Sequence, residues 1–382
     1  MNTAAHFWGL RSLQRHALPA AAQACAPAAA SRGLLTGTEE GRAWDPQPDI
    51  SEGCPVAPSA VIRGGNACGS GREAPQQRTR IQHFSNKTWE HKTNLWTTSR
   101  AILRDLKYAE HISISNIAFA VERMGYYATT GPKAKGDEGH VRRQAYLKVA
   151  TKALRFLGGM VHSNPAILEG ITGNDLSRLL WGLAMLQTSN YPFTFDPDLL
   201  TDPWQWQHID EATIRTAQEM KPKRLAKILW AYSRVGHRCP VEVLAALRDS
   251  SATRISELSA WELANVAGAM VRMEYMPGED FLVSCTAAAL IKGQEEFSPW
   301  GLGMIMHCFA MCGWDPGPAM MQLVDTHVLT RSQEYSTREL ANMTWAFACL
   351  GHYPEDQELR VPGDPSLPTS LDKIMEEVVF RG

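Results

Sequence analysis

Asn116, Arg123, Arg178, Lys227, Arg234, Asn265 and Arg272 recur at two fixed offsets within a set of similar segments, and the two offsets differ by seven residues. Seven residues is about two α-helical turns, so on each segment the two offsets share one stripe. Guanidinium and ammonium groups hold phosphates and lie against aromatic rings, and carboxamides pair with the edges of bases. A row of such groups suits an anionic polymer with hydrogen-bonding edges. A structural reading accounts for the same row: a solvated helix face, with each Asn turned back on its own helix.

Two further basic groups stand near it. Lys221, Lys223, Arg224 and Lys227 place four cations at a predicted helix start, where they oppose the macrodipole and favour a bound anion. A solvated surface cluster is the competing explanation. Arg142, Arg143, Lys148, Lys152 and Arg155 form the other set, on one predicted helix.

Catalysis and resident cofactors find no support. GxxxxGK[ST], GxSxG and HExxH are all missing from the sequence. His307, Cys308 and Cys312 lie close on one predicted helix, but zinc needs about four ligands and no partner pair is in view. The eight cysteines form no CxxC pair, so a reduced chain without disulfides, metal or cofactor is expected. Adjacent acids such as Glu295 and Glu296 point in different directions on a helix and read as surface charge. The chain is not expected to be an enzyme.

The segments that carry the stripe are LAKILWAYSRVG at 225–236, LANVAGAMVRME at 263–274, LGMIMHCFAMCG at 302–313 and LANMTWAFACLG at 340–351. Their opening leucines are 38, 39 and 38 residues apart. LSRLLWGLAMLQ from Leu176 and ISNIAFAVERMG from Ile114 fit the same pattern. Such a period marks stacked supersecondary units. Each unit reads as two helices. The first starts at the leucine and ends at Gly125, Gly236, Gly313 or Gly351, where glycine takes the left-handed conformation. Pro240, Pro277, Pro316 and Pro354 then suit the first turn of the second helix. Second helices are predicted near 240–254, 277–292 and 316–331, with 141–157 as the upstream counterpart and 368–380 closing the array. The fold expected is an all-α, right-handed-type α-solenoid of about six helical-hairpin repeats with a period near 38.

Five positions past the leucine stand Phe119, Trp181, Trp230, Gly268, His307 and Trp345. Small residues flank them, at the next position and four before. The rings read as packing between units rather than as platforms for bases.

Net charge over the chain is −2, but residues 85–160 carry 13 Lys/Arg against 6 Asp/Glu, and residues 208–256 carry 9 against 5. Residues 257–382 carry 7 against 18. A polyanion is drawn to the first two stretches and repelled by the last. No apolar run is long enough to span a membrane.

Residues 1–38 hold Arg11, Arg15 and Arg32 with no acid and much Ala, the composition of an organelle transit peptide, mitochondrial in preference to plastid. Residues 39–84 read as a disordered linker and 85–382 as the repeat domain. Insertions are expected near 129–140 and 187–207.

The wording of LAKILWAYSRVG, LANMTWAFACLG, LANVAGAMVRM and LSRLLWGLAML resembles the octatricopeptide-type repeat proteins of organelles. More distantly it looks like the helical part of FAST-kinase-like and RAP-domain proteins. The resemblance covers about 112–351. It implies a nucleus-encoded protein that binds single-stranded organelle RNA and acts in its processing, stability or translation, or in ribosome assembly. The Pro-Pro-Pro-Glu-Trp motif of that family is absent, with SPW at 298–300 and SAWE at 259–262 as its nearest echoes. Too few residues follow Gly351 for a RAP domain, so nuclease activity is not implied. Under this reading Asn116, Arg123, Arg178, Lys223, Arg224, Lys227, Arg234, Asn265 and Arg272 contact RNA, and the acidic C-terminal units face a protein. The alternative is a protein-interaction scaffold, or a structural subunit of an organelle ribosome or other assembly, without sequence-specific RNA reading.

Overall fold

Four corners of the chain are written almost alike: Glu219-Met220-Lys221, Glu257-Leu258-Ser259, Glu296-Phe297-Ser298 and Glu334-Tyr335-Ser336. In the computed structural model each glutamate closes a 3-10 turn, at Ala217–Glu219, Ile255–Glu257, Gln294–Glu296 and Ser332–Glu334. The apolar residue after it is buried, and the third residue caps an α-helix. Ser259 and Ser336 form full capping boxes with Glu262 and Glu339, and the Ser298 side chain accepts from the backbone N–H of Gly301. At Lys221 no side-chain cap forms, and Pro222 opens the helix instead. Leu258, Phe297 and Tyr335 before the caps are buried together with Leu263, Leu302 and Leu340 five residues on, the placement of a hydrophobic staple. These helices therefore begin three residues ahead of the leucines that open the repeated segments.

The structure describes residues 95–106, 112–130, 137–189, 204–352 and 370–381. The expected transit peptide and linker lie outside them, as do Pro354 and residues 131–136 and 190–203 of the expected insertions. The α-helices are α1 Leu95–Leu106, α2 Ile114–Thr130, α3 Asp137–Ser163, α4 Gly173–Thr188, α5 Trp206–Thr216, α6 Pro222–Val235 and α7 Val241–Thr253. They continue with α8 Ala260–Arg272, α9 Glu279–Lys292, α10 Pro299–Cys312, α11 Pro318–Arg331, α12 Thr337–Leu350 and α13 Ser370–Arg381. No strand occurs among the described residues. The fold is all-helical, and helices pack in chain order: α2, α4, α6, α8, α10 and α12 each against the next of that set. A second row runs alongside, with α1 on α3 and then α5, α7, α9, α11 and α13 in sequence. Neither α1 nor α5 was anticipated from the sequence, where proline-rich wording hid the start of α5.

Small residues set how near the first-row helices come. A Cβ on Gly182 would lie 2.6 Å from the Val121 carbonyl, and one on Gly125 would lie 2.5 Å from the Gly182 carbonyl oxygen. Gly125 therefore does not end a helix, as its place in the segment predicts. It sits inside α2, where only hydrogen lets α4 approach.

Gly236, Gly313 and Gly351 do end their helices, at φ 83°, 61° and 65°. After the last two, the N–H groups of Trp314 and His352 each reach back 2.9 Å to the carbonyls of Phe309 and Phe347. The residue after the glycine then ties down the second row. His237 pairs with Asp210 at 2.9 Å, Trp314 donates to Thr286 at 3.3 Å, and His352 pairs with Asp325 at 3.0 Å. Arginines at the ends of α7 and α11 bind the preceding corner: Arg254 donates to the carbonyls of Met220 and Gln218, and Arg331 to that of Phe297.

At the end of α8 the left-handed residue is Glu274, at φ 57°. A side chain in that region costs about 1–2 kcal/mol, which glycine avoids at some loss of unfolded-state entropy. Glu274→Gly is expected to raise stability by about 1 kcal/mol in urea unfolding. A lower unfolding midpoint would show that the Glu274 side chain holds this turn.

Candidate functional site

Helix α8 buries Leu263 through Val271 without a break. One stripe of it, Trp261, Asn265, Gly268 and Arg272, spaced four, three and four residues apart, faces the same way. Asn265, Gly268 and Arg272 line a groove whose walls are Trp230 and Arg234 of α6 and Trp300 and Met304 of α10. Three of the residues expected to bind, Arg234, Asn265 and Arg272, are thus brought together with two indoles.

The remaining expected residues are placed differently. Asn116 is buried, and its side-chain oxygen accepts from the N–H and hydroxyl of Ser113 at 3.1 and 2.8 Å, so it braces the start of α2. Arg178 is held by Glu122 at 3.3 Å and Asp175 at 3.7 Å. Lys223 and Arg224 sit in the first turn of α6, Lys223 half-buried and Arg224 buried. Lys227 is 7% exposed, with its Nζ 5.1 Å from the ring centre of Trp181. Lys148, Lys152 and Arg155 are exposed on α3, in the second row and outside the groove.

A relation between the columns was not legible in either alone. The Arg123 guanidinium lies 5.6 Å from Phe119, and that of Arg234 lies 5.9 Å from Trp230, both one helical turn back. Arg178 and Lys227 lie over the ring of the preceding first-row helix, Phe119 and Trp181. Cation–ring contacts of this kind contribute about 0.5–2 kcal/mol each. Trp181 is buried as a packing residue should be, but Phe119, Trp230 and Trp345 are half-buried. Phe119 and Trp230 therefore serve packing on one side and cations on the other. Trp300 lies two residues ahead of its segment's leucine, outside the repeated offsets. Its signal in the sequence is SPW at 298–300.

His307 continues the ring column beyond the groove, 5.0 Å from Trp345. Burial, and then the nearby Arg272 charge, push its pKa down from 6.5. It stands neutral at pH 7, with Nδ1 buried and without a hydrogen bond.

The buried thiols of Cys285 and Cys308 lend little chemistry. Burial pushes the Cys285 thiol up to about 12. Its hydrogen bond to Cys312 and then burial raise Cys308. Thiols so held are poor nucleophiles. Among the described residues no group of three His, Cys, Asp or Glu is placed to hold a metal ion, and no helix is long and apolar enough to cross a membrane. No protein-family model matches this chain, and no curated protein matches it.

Burial also lowers the His327 pKa, in a core position where its ring meets the Tyr335 hydroxyl at 2.7 Å and the Phe297 carbonyl at 3.1 Å. The unfolded chain binds protons at both imidazoles below about pH 6.5, and the folded chain resists them, so stability falls as pH drops beneath that value. Urea unfolding at pH 7.5 and 5.5 should show the loss, and His307→Gln should reduce it. An undiminished pH dependence in that variant would clear His307 of the effect.

Proposed function

We propose that this chain is a non-enzymatic RNA-binding helical-repeat protein of the mitochondrion. It acts in RNA processing, stability, translation or ribosome assembly. Its described helices would form a right-handed solenoid of about six hairpin units with a period near 38. The observation that carries this reading is the groove over α8, where Arg234, Asn265 and Arg272 meet Trp230 and Trp300. Guanidinium groups for phosphates, flat rings for bases and a carboxamide for base edges are what single-stranded RNA needs. The basic balance of residues 208–256 favours the same polymer, and the repeated wording LANVAGAMVRM and LANMTWAFACLG supports the family expectation. The transit-type composition of residues 1–38 supports the mitochondrial address.

A protein-scaffold reading has its own observation. Helix α9 leaves Val283, Leu290 and Ile291 exposed on the second row, in the acidic part of the chain. Under the RNA reading these side chains offer a separate protein contact.

Each phosphate contact on a single strand contributes about −0.7 to the slope of log affinity against log salt. Arg234→Ala with Arg272→Ala should shrink that slope by about 1.4 and leave helicity unchanged. Wild-type affinity for RNA no greater than that of a neutral control protein would favour the scaffold instead.

A further inference from the structure

The position five past each opening leucine holds a ring in Phe119, Trp181, Trp230, His307 and Trp345, and holds Gly268 in the fourth segment. One rung of the ring column is missing, and it is missing in the groove. Trp230 and Trp300 stand among the walls there, with Arg234 and Arg272. The three heavy atoms nearest to a Cβ built on Gly268 all belong to Met304, with the terminal methyl first, at the far end of a flexible side chain. The place of the absent ring is thus held by a movable methyl rather than a fixed wall.

Asn265 borders the same gap and is 4% exposed. Its side-chain nitrogen donates to the Trp261 carbonyl at 2.9 Å. A main-chain carbonyl can only accept, so the amide orientation is fixed and Oδ1 is left as an acceptor. That oxygen takes no hydrogen bond among the described residues.

We infer that one nucleobase of a bound strand enters at Gly268 in place of the missing ring and donates its exocyclic amine to Asn265 Oδ1. The base displaces the Met304 methyl and stacks against the indoles of Trp230 or Trp300, while Arg234 and Arg272 take the flanking phosphates. Adenine, cytosine and guanine carry such an amine. Uracil does not; its one ring donor in the strand lies between two carbonyl oxygens, which would face Oδ1 with lone pairs. This rests on the RNA-binding reading and adds to it a point of entry and a class of base.

The full chain is titrated with short oligo(A), oligo(C) and oligo(U), and with an abasic strand of equal length, at fixed salt. Tryptophan fluorescence reports the indoles, and circular dichroism reports folding. Oligo(A) or oligo(C) should bind about fivefold tighter than oligo(U), as one hydrogen bond predicts. Gly268→Phe restores the rung and should weaken the amine-bearing strands about tenfold, with abasic-strand binding unchanged. Asn265→Ala, which leaves the gap open, should remove the preference over uracil and serves if Gly268→Phe does not fold. RNA binding that is indifferent to both changes overturns base entry and leaves the RNA reading standing. A wild-type chain that binds no strand overturns both.

Discussion

A helix that is apolar around most of its circumference cannot stand in water, and α8 is such a helix. It hides nine consecutive residues, Leu263 to Val271. Its own turns shield few of them. Cover comes from α6 on one side, α10 on the other, and the second row behind. The same demand passes along the chain, since α6 and α10 need their neighbours in turn. Burial of this kind contributes about 25 cal/mol per Å² of apolar surface, so the stacking itself is the main source of stability. Corners, caps and the arginines that bind them fix the register in which the stacking happens.

Along one stripe of α2, α4 and α6, packing and charge share the same side chains. An indole such as Trp230 is half-buried, and its open face meets a guanidinium from the same helix. The ring lowers the cost of holding a cation near an apolar layer, and the cation keeps the ring wet on one side. The groove over α8 arises where this arrangement is interrupted. Gly268 supplies no ring under Arg272, and α6 and α10 supply indoles from the flanks.

Much of this was legible in the residues. Proline and glycine positions place the second helices from α7 onward to within two residues, with 240–254 expected against Val241–Thr253 and 316–331 against Pro318–Arg331, whereas the one expected over 141–157 runs further at both ends, Asp137–Ser163. Helix α2 begins at Ile114 as expected, but α8, α10 and α12 begin three residues ahead of the repeated leucine, because the Glu-apolar-Ser triplets before it set their caps. Those triplets recur with the same spacing and name the caps directly. Gly125 misled for a different reason. In sequence it sits where Gly236, Gly313 and Gly351 end helices, yet its hydrogen is required by Gly182 on another helix, a contact no local pattern reveals. Among the candidate binding residues, Asn116 is drawn into a local bond by Ser113, and Arg178 into an ion pair with Glu122 of the neighbouring helix. Arg234, Asn265 and Arg272 share a groove because three helices converge on it, which offset alone does not specify.

Gly268 and Met304 lie on different helices and claim the same few cubic ångströms. Neither position can therefore be assigned a tolerance of its own. A bulkier residue at 268 has to displace the Met304 methyl, so the effects of changing both will not add. For a lineage carrying this protein, what the codon for 268 can encode depends on what the codon for 304 already encodes.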